Sequence, residues 1–196
     1  MSMAALIVLD LEFTAWAGSQ ARNWTGPGEH REIVQIGAVR LDWPSGEERA
    51  AFEALVRPAR NTELSDYFTA LTGIGQDRID REGRSFPEAW RAFRRFAGTV
   101  PLCAWGRDGE VLAENLVLHG LPLRGLQPVR DLRPALVRIA PSVAGLSSGE
   151  LAAHLGGRAG RRHDALHDAR SVADALRRLG PPLVTRAMAE GGPRGG

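Results

Sequence analysis

The sequence predicts one α/β domain built on a five-stranded mixed sheet, with three antiparallel strands first, then alternating helices and strands, and helices on both faces. Three observations carry this. The chain opens on an apolar, β-branched run of the kind that suits a strand buried on both faces. Two more strand-like runs follow it, separated by turn chemistry and not by helical texture. Beyond Arg57-Pro58 helical and strand-like segments alternate, which calls for parallel strands with crossover helices.

Each element follows from local pattern. Residues 4–9 make the first strand and deliver Asp10 and Glu12 to its end. Residues 17–31 are polar and punctuated by Gly18, Gly26, Pro27 and Gly28, a long loop with Trp24 inside it, and loops of that length are often functional. Residues 32–42 read as the second strand, Pro44-Ser45-Gly46-Glu47 as a turn, and residues 49–56 as the third strand. Helices are predicted over 65–71, 76–81 and 87–97, with Pro87 suited to a first turn. A fourth strand over 100–105 precedes a helix over 108–118, ended near Gly120. A short fifth strand over 128–131 leads into a helix through Ile139. Helices over 147–155 and 164–179 complete a domain spanning 1–180, and the Gly/Pro-rich residues 181–196 read as a flexible tail.

Composition narrows the function classes. The chain has 196 residues, 43% hydrophobic and 24% charged, with no apolar run near the ~18 residues that a membrane span needs. The apolar stretch from Met3 to Leu9 lacks a basic leader and runs into Asp10, so it does not read as a secretory signal. One cysteine, Cys103, between Leu102 and Ala104, excludes a disulfide framework and a thiolate zinc cluster, and points to burial in a cytoplasmic protein. All 25 basic residues are arginine, whose planar fork suits phosphate, although GC-rich codon usage accounts for the missing lysine as well.

The carboxylates carry more. Of three Asp-x-Glu triplets, Asp80/Glu82 and Asp108/Glu110 fall in polar or helical stretches. Asp10/Glu12 alone ends a buried strand, where alternation points both side chains to one face. Like charges on one face repel unless a cation bridges them, which makes a metal site the physical reason to keep them. His163 and Asp168 form an H-x4-D pair at a helix start, with Asp168 beside the apolar stripe Ala165, Ala169, Val172 and Leu176, where a carboxylate needs a partner. Asp108 follows the fourth strand and could equally be an N-cap; Asp131, after the fifth strand, is the alternative. Arg91, Arg94 and Arg95 at helical spacing read as a solvated face, whereas Arg158, Arg161 and Arg162 crowd the loop before His163. Acidic groups meeting at the carboxyl ends of parallel strands, with a histidine beside them and no nucleophile arrangement, suit two-metal hydrolysis of a phosphodiester.

Four segments then carry a family resemblance: Val8-Leu9-Asp10-Leu11-Glu12-Phe13-Thr14, Glu32-Ile33-Val34-Gln35-Ile36-Gly37-Ala38-Val39, Leu71-Thr72-Gly73-Ile74 and His163-Asp164-Ala165-Leu166-His167-Asp168-Ala169. In order and spacing they resemble the DnaQ-like 3′-to-5′ exonucleases of the DEDDh type, over about residues 4–179. The run Asn61-Thr62-Glu63-Leu64-Ser65-Asp66-Tyr67-Phe68 makes the Eri-type and KapD-like branch the most similar. The resemblance implies an RNase H-like fold and two Mg²⁺ or Mn²⁺ ions per site, with Asp10 bridging them. Glu12 and Asp168 would hold the first ion, Asp108 would act through water at the second, and His163 would be the general base. Leu71, Thr72, Gly73 and Ile74, with Phe13, Thr14 and Trp16, would grip the terminal nucleotide. The expected partners are single-stranded 3′ ends, RNA favoured and DNA possible, with no membrane. Two other readings stand beside this one: a DNA proofreading or repair exonuclease of the same family, and a nucleic-acid-binding adaptor without turnover.

Overall fold

The computed structural model describes residues 4–160 and 162–190. Its sheet is built outward from the first strand. β1 (Ala5–Phe13), β2 (Ile33–Asp42) and β3 (Glu48–Leu55) form an antiparallel meander. β4 (Leu102–Ala104) lies parallel to β1 on its free side, and β5 (Val129–Asp131) lies parallel to β4, giving the order β3-β2-β1-β4-β5. Helices α1 (Asp66–Thr72), α2 (Gln76–Glu82) and α3 (Phe86–Ala97) link β3 to β4, and α4 (Asp108–Leu118) links β4 to β5. α5 (Arg133–Ile139), the short α6 (Leu151–His154), α7 (Ala165–Leu179) and α8 (Pro181–Glu190) follow.

Alternation along β1 sorts the core into two layers. Leu6 and Val8 pack with Ala169, Val172 and Leu176 of α7, while Ile7, Leu9 and Leu11 pack with Phe86, Trp90 and Phe93 of α3 and Leu112 and Leu116 of α4. Helices thus cover both faces, as the pattern predicts. Cys103 is buried beside Val8, its thiol donating to the Ile7 carbonyl at 3.3 Å. Among the described residues no helix is long and apolar enough to cross a membrane.

The structure corrects the sequence reading at three places. β1 does not stop at Leu9: Asp10, Leu11 and Glu12 keep their ladder partners Gly37, Ile36 and Gln35, so both acids lie inside the strand and not beyond it. Backbone pairing is indifferent to the change from apolar to acidic side chains, and it continues past a register shift at Glu12/Phe13 to the Phe13–Ile33 pair. The helix expected over 147–155 is a tight turn at Ser148–Glu150 running into α6. Residues 181–190 are not a tail. Val184, Ala187 and Met188, at helical spacing, are buried in the α7-side core, and the Trp43 indole donates to the Thr185 hydroxyl at 2.8 Å. Apolar spacing here outweighs Pro181 and Pro182, which a helix tolerates in its first turn. The Gly/Pro-rich 191–196 lies outside the described residues.

The start of α7 is docked on β2 by a missing side chain. A Cβ built on Gly37 would lie 2.1 Å from the Leu166 amide nitrogen and 2.2 Å from the Ala165 carbonyl carbon. Gln35, fully buried, supplies the polar half of this joint: its Oε1 accepts the Ala165 N–H at 2.9 Å, satisfying one of the orphan donors of the helix start. Replacing Gly37 by Ala should therefore push α7 off the sheet and cost about 1–3 kcal/mol, the usual range for overpacking. An unchanged urea midpoint for Gly37→Ala would contradict this joint.

Candidate active site

Asp10, Glu12, Asp108, His163 and Asp168 all line one cavity of about 590 Å³ at the carboxyl end of β1 and β4. Alternation gives Asp10 and Glu12 the face of β1 that α7 covers, and Asp168 stands in the first turn of α7, where the helix dipole favours negative charge. One donor atom each from Glu12, His163 and Asp168 lie within 4.8 Å of one another. Asp108 opens α4 and approaches from the β4 side, close enough to Asp10 for its charge to disfavour ionisation there. The nearby Leu11 backbone amide works against burial and favours the ionised form of Asp108.

Backbone geometry aims the histidine. His163 has φ 59°, a left-handed conformation that few side chains other than glycine adopt without cost. The turn lets its N–H donate to Asp168 Oδ2 at 3.3 Å, while Asp164 caps α7 by accepting the His167 N–H at 3.0 Å. The Ser148 hydroxyl donates to the same Asp168 oxygen at 3.3 Å. Gly149 permits that approach: a Cβ there would stand 2.5 Å from Asp168 Oδ1. Asp168 Oδ1 itself is buried and, among the described residues, accepts no hydrogen bond.

The electrostatics are those of a buried acidic cluster in which none of the four carboxylates forms an ion pair among the described residues, although the Arg133 guanidinium acts on Asp108 from across the cleft. Asp10, Glu12 and Asp168 are 7%, 8% and 3% exposed. Burial first, then the repulsion of Asp168 and Asp108, pushes the Glu12 carboxyl from 4.5 up to about 8. Burial likewise raises Asp108 to about 7 and Asp168 to about 6, and it lifts Asp10 well above its ordinary 3.8, helped by Asp108 and Glu12. His163 moves the other way: burial, then the neighbouring Arg162 guanidinium, lowers it from 6.5, so the neutral base form prevails at neutral pH. A buried, unpartnered carboxylate oxygen among mostly oxygen donors is what a divalent cation fits.

The remaining expected residues divide. Phe13 and Leu71 line the cavity. Thr14, Trp16, Thr72, Gly73 and Ile74 are not among its lining residues. The Thr14 hydroxyl instead bonds the His30 carbonyl and the Glu32 N–H, Thr72 Oγ1 bonds Phe68 and Ile74 backbone, Gly73 ends α1 at φ 70°, and Ile74 is buried in a side core. Trp16 sits half-buried on the turn it shares with Ser19. Asp131 Oδ1 accepts the Arg133 N–H at 2.8 Å, and it is Asp108, not Asp131, that lines the cleft. Arg91, Arg94 and Arg95 are exposed on α3, and Arg162 pairs with Glu150 at 3.0 Å; Arg161 lies outside the described residues.

Sequence reasoning missed the aromatic and basic walls, Trp24, Tyr67, Trp105 and Arg133, and the hydroxyl of Ser148. Arg133 stacks on Trp105, 5.5 Å from the ring centre. The S-x-x-E pattern Ser147-Ser148-Gly149-Glu150 was available as a capping signal, with Glu150 accepting the Ser147 N–H at 2.9 Å, but it says nothing of contact with Asp168.

The family described as Exonuclease (RNase_T) matches residues 7–176. ERI1 exoribonuclease 2 of Xenopus laevis is 36% identical over 75 residues, 38% of this chain and 10% of that protein. The PolC-type DNA polymerase III of Clostridium perfringens is 27% identical over 173 residues, 87% of this chain and 11% of that protein. The chain thus spans about a tenth of the length of either relative. Among solved structures, a 3′-exonuclease in specific recognition of the histone mRNA stem-loop has a TM-score of 0.75 at 23% identity, covering 97% of this chain and 84% of that one. The mixed five-stranded sheet is therefore the RNase H-like exonuclease fold.

The raised carboxyls set a pH dependence. A group that binds protons more tightly folded than unfolded adds stability below its unfolded pKa and loses it as pH rises through the folded value. Without metal, the Glu12, Asp108 and Asp168 contributions are present near pH 4 and are lost as pH climbs through about 6 to 8. The melting temperature in EDTA should fall over that window, Glu12→Gln should flatten the fall, and Mn²⁺ should raise the melting temperature more at the alkaline end. A profile that neither Glu12→Gln nor Mn²⁺ alters would contradict the cluster.

Proposed function

The chain belongs to the exonuclease (RNase_T) family, and from that premise we propose that it is a metal-dependent 3′-to-5′ exonuclease trimming single-stranded nucleic acid, RNA in preference to DNA. The observation that carries this reading is the meeting of four carboxylates and a neutral histidine in one cleft, with the buried Asp168 Oδ1 left without a partner. Asp10, Glu12 and Asp168 would hold one Mg²⁺ or Mn²⁺ ion, and Asp10 with Asp108 a second. When bound, such ions offset the charge that develops on the phosphate and on the departing oxygen.

The chain's own groups do the rest. His163, held neutral by burial and by Arg162, accepts the proton of the attacking water. That water's oxygen bonds to phosphorus as the bond to the upstream 3′ oxygen breaks, releasing a nucleoside 5′-monophosphate. Ser148 and the His163 N–H fix the Asp168 carboxylate. Phe13 and Leu71 offer the terminal base an apolar wall that reads no sequence. The partial match to exoribonucleases supports RNA, and the longer match to a DNA polymerase favours DNA as the second reading.

Degradation of matched 5′-labelled single-stranded RNA and DNA oligonucleotides with Mg²⁺, Mn²⁺ or EDTA tests this. Metal-dependent laddering, faster on RNA, is expected. Asp10→Ala and Asp168→Ala should each lose at least about a thousandfold in kcat while keeping the fold, since both remove a carboxylate that folding buries at a cost. His163→Ala should lose about 10²–10⁴ in kcat, the range for a general base, with Mn²⁺ affinity unchanged. No cleavage under either metal, with binding retained, would instead make the protein an adaptor.

A further inference from the structure

We propose that a second cavity, on the far side of Trp24 from the catalytic cleft, binds the stretch of substrate strand upstream of the scissile phosphate. The proposal rests on the exonuclease reading and extends it. The second cavity is also about 590 Å³, and it shares Asn23, Trp24 and Arg31 with the cleft, so the two are neighbours across one wall. Arg60 and the exposed Val117 line it on the side away from the catalytic carboxylates.

The wall is a built feature of the 17–31 loop. Asn23 and Trp24 have φ of 51° and 52°, conformations costly for side chains of their size, and the neighbouring contacts hold them there. The Trp24 indole N–H donates to the Thr14 carbonyl at 3.0 Å, its ring lies 5.3 Å from Phe13, and the Arg31 guanidinium lies 5.8 Å from its centre. Phe13 is on the cleft side. A strand with its 3′ end at the carboxylates has to leave the cleft past some wall, and this one offers an aromatic edge with a cation beside it.

Charge identifies the occupant. Within the second cavity Glu29 is paired with Arg22, and Glu114 with Arg31. Arg60 has no carboxylate partner among the described residues. Its backbone is nonetheless held: the buried Glu32 carboxylate accepts the N–H groups of Ala59, Arg60 and Asn61 at 2.7, 3.0 and 2.6 Å. An exposed guanidinium without an ion-pair partner, carried on a held backbone in a cavity next to a phosphodiester cleft, suits a phosphate of the same strand.

The test compares lengths without turnover. In EDTA, fluorescence anisotropy gives the affinity for a single-stranded dodecamer, and competition gives that for a dinucleotide, which fills the cleft alone. Arg60→Ala and Val117→Glu, both surface changes, should each weaken the dodecamer about tenfold and leave the dinucleotide unchanged. Unchanged dodecamer affinity, or an equal loss at both lengths, would overturn the second cavity. Length-dependent binding without any cleavage on adding Mn²⁺ would refute the exonuclease reading and leave this cavity standing. Cleavage with length-independent affinity would refute the cavity alone.

Discussion

Asp10, Glu12 and Asp168 are buried together against an apolar sheet, with Asp108 close by and, among the described residues, no basic side chain in an ion pair with any of them. Removing ionised carboxylates from water is costly, and gathering them adds repulsion. The protein meets that cost in two ways. The carboxyls rise toward neutrality, Glu12 to about 8, and one oxygen, Asp168 Oδ1, has no donor among the described residues. Both are properties of a cation site, and the local architecture serves to hold the acids in that arrangement.

The holding is done mostly by small contacts. Among the described strands β1 alone is paired antiparallel on one side and parallel on the other: Ile7 and Val8 anchor it to β4, and the ladder with β2 carries on through Asp10 and Glu12. Gly37, opposite Asp10, lets the start of α7 touch the backbone of β2, and Gln35, opposite Glu12, caps it. Gly149 lets the 148–150 turn press on Asp168. The left-handed His163 then closes the group from the loop side. Strain and missing side chains concentrate where the chemistry needs close approach, as expected of functional sites.

Much of this was legible in the sequence. A buried strand with alternating acids dictates one face for Asp10 and Glu12, and the stripe Ala165, Ala169, Val172 and Leu176 dictates which face of α7 meets them. The bounds of α4 follow from Gly120 and the acidic first turn. What failed depended on tertiary partners. Apolar runs show where β1 stops being hydrophobic but not where its ladder ends. Proline and glycine near the terminus masked the i, i+3, i+4 spacing of Val184, Ala187 and Met188. Trp16 and Trp24 differ only in where a loop folds back, and the cavity received Trp24. Asp108 follows one parallel strand and Asp131 ends the other; the Asp131 carboxylate is taken up by the Arg133 N–H two residues on.

The most direct test of the central claim is anomalous diffraction from crystals soaked in Mn²⁺. The account predicts two peaks in the cleft, one among Asp10, Glu12 and Asp168 and the other between Asp10 and Asp108. A cleft without anomalous density at saturating Mn²⁺, with the carboxylates in place, would contradict it.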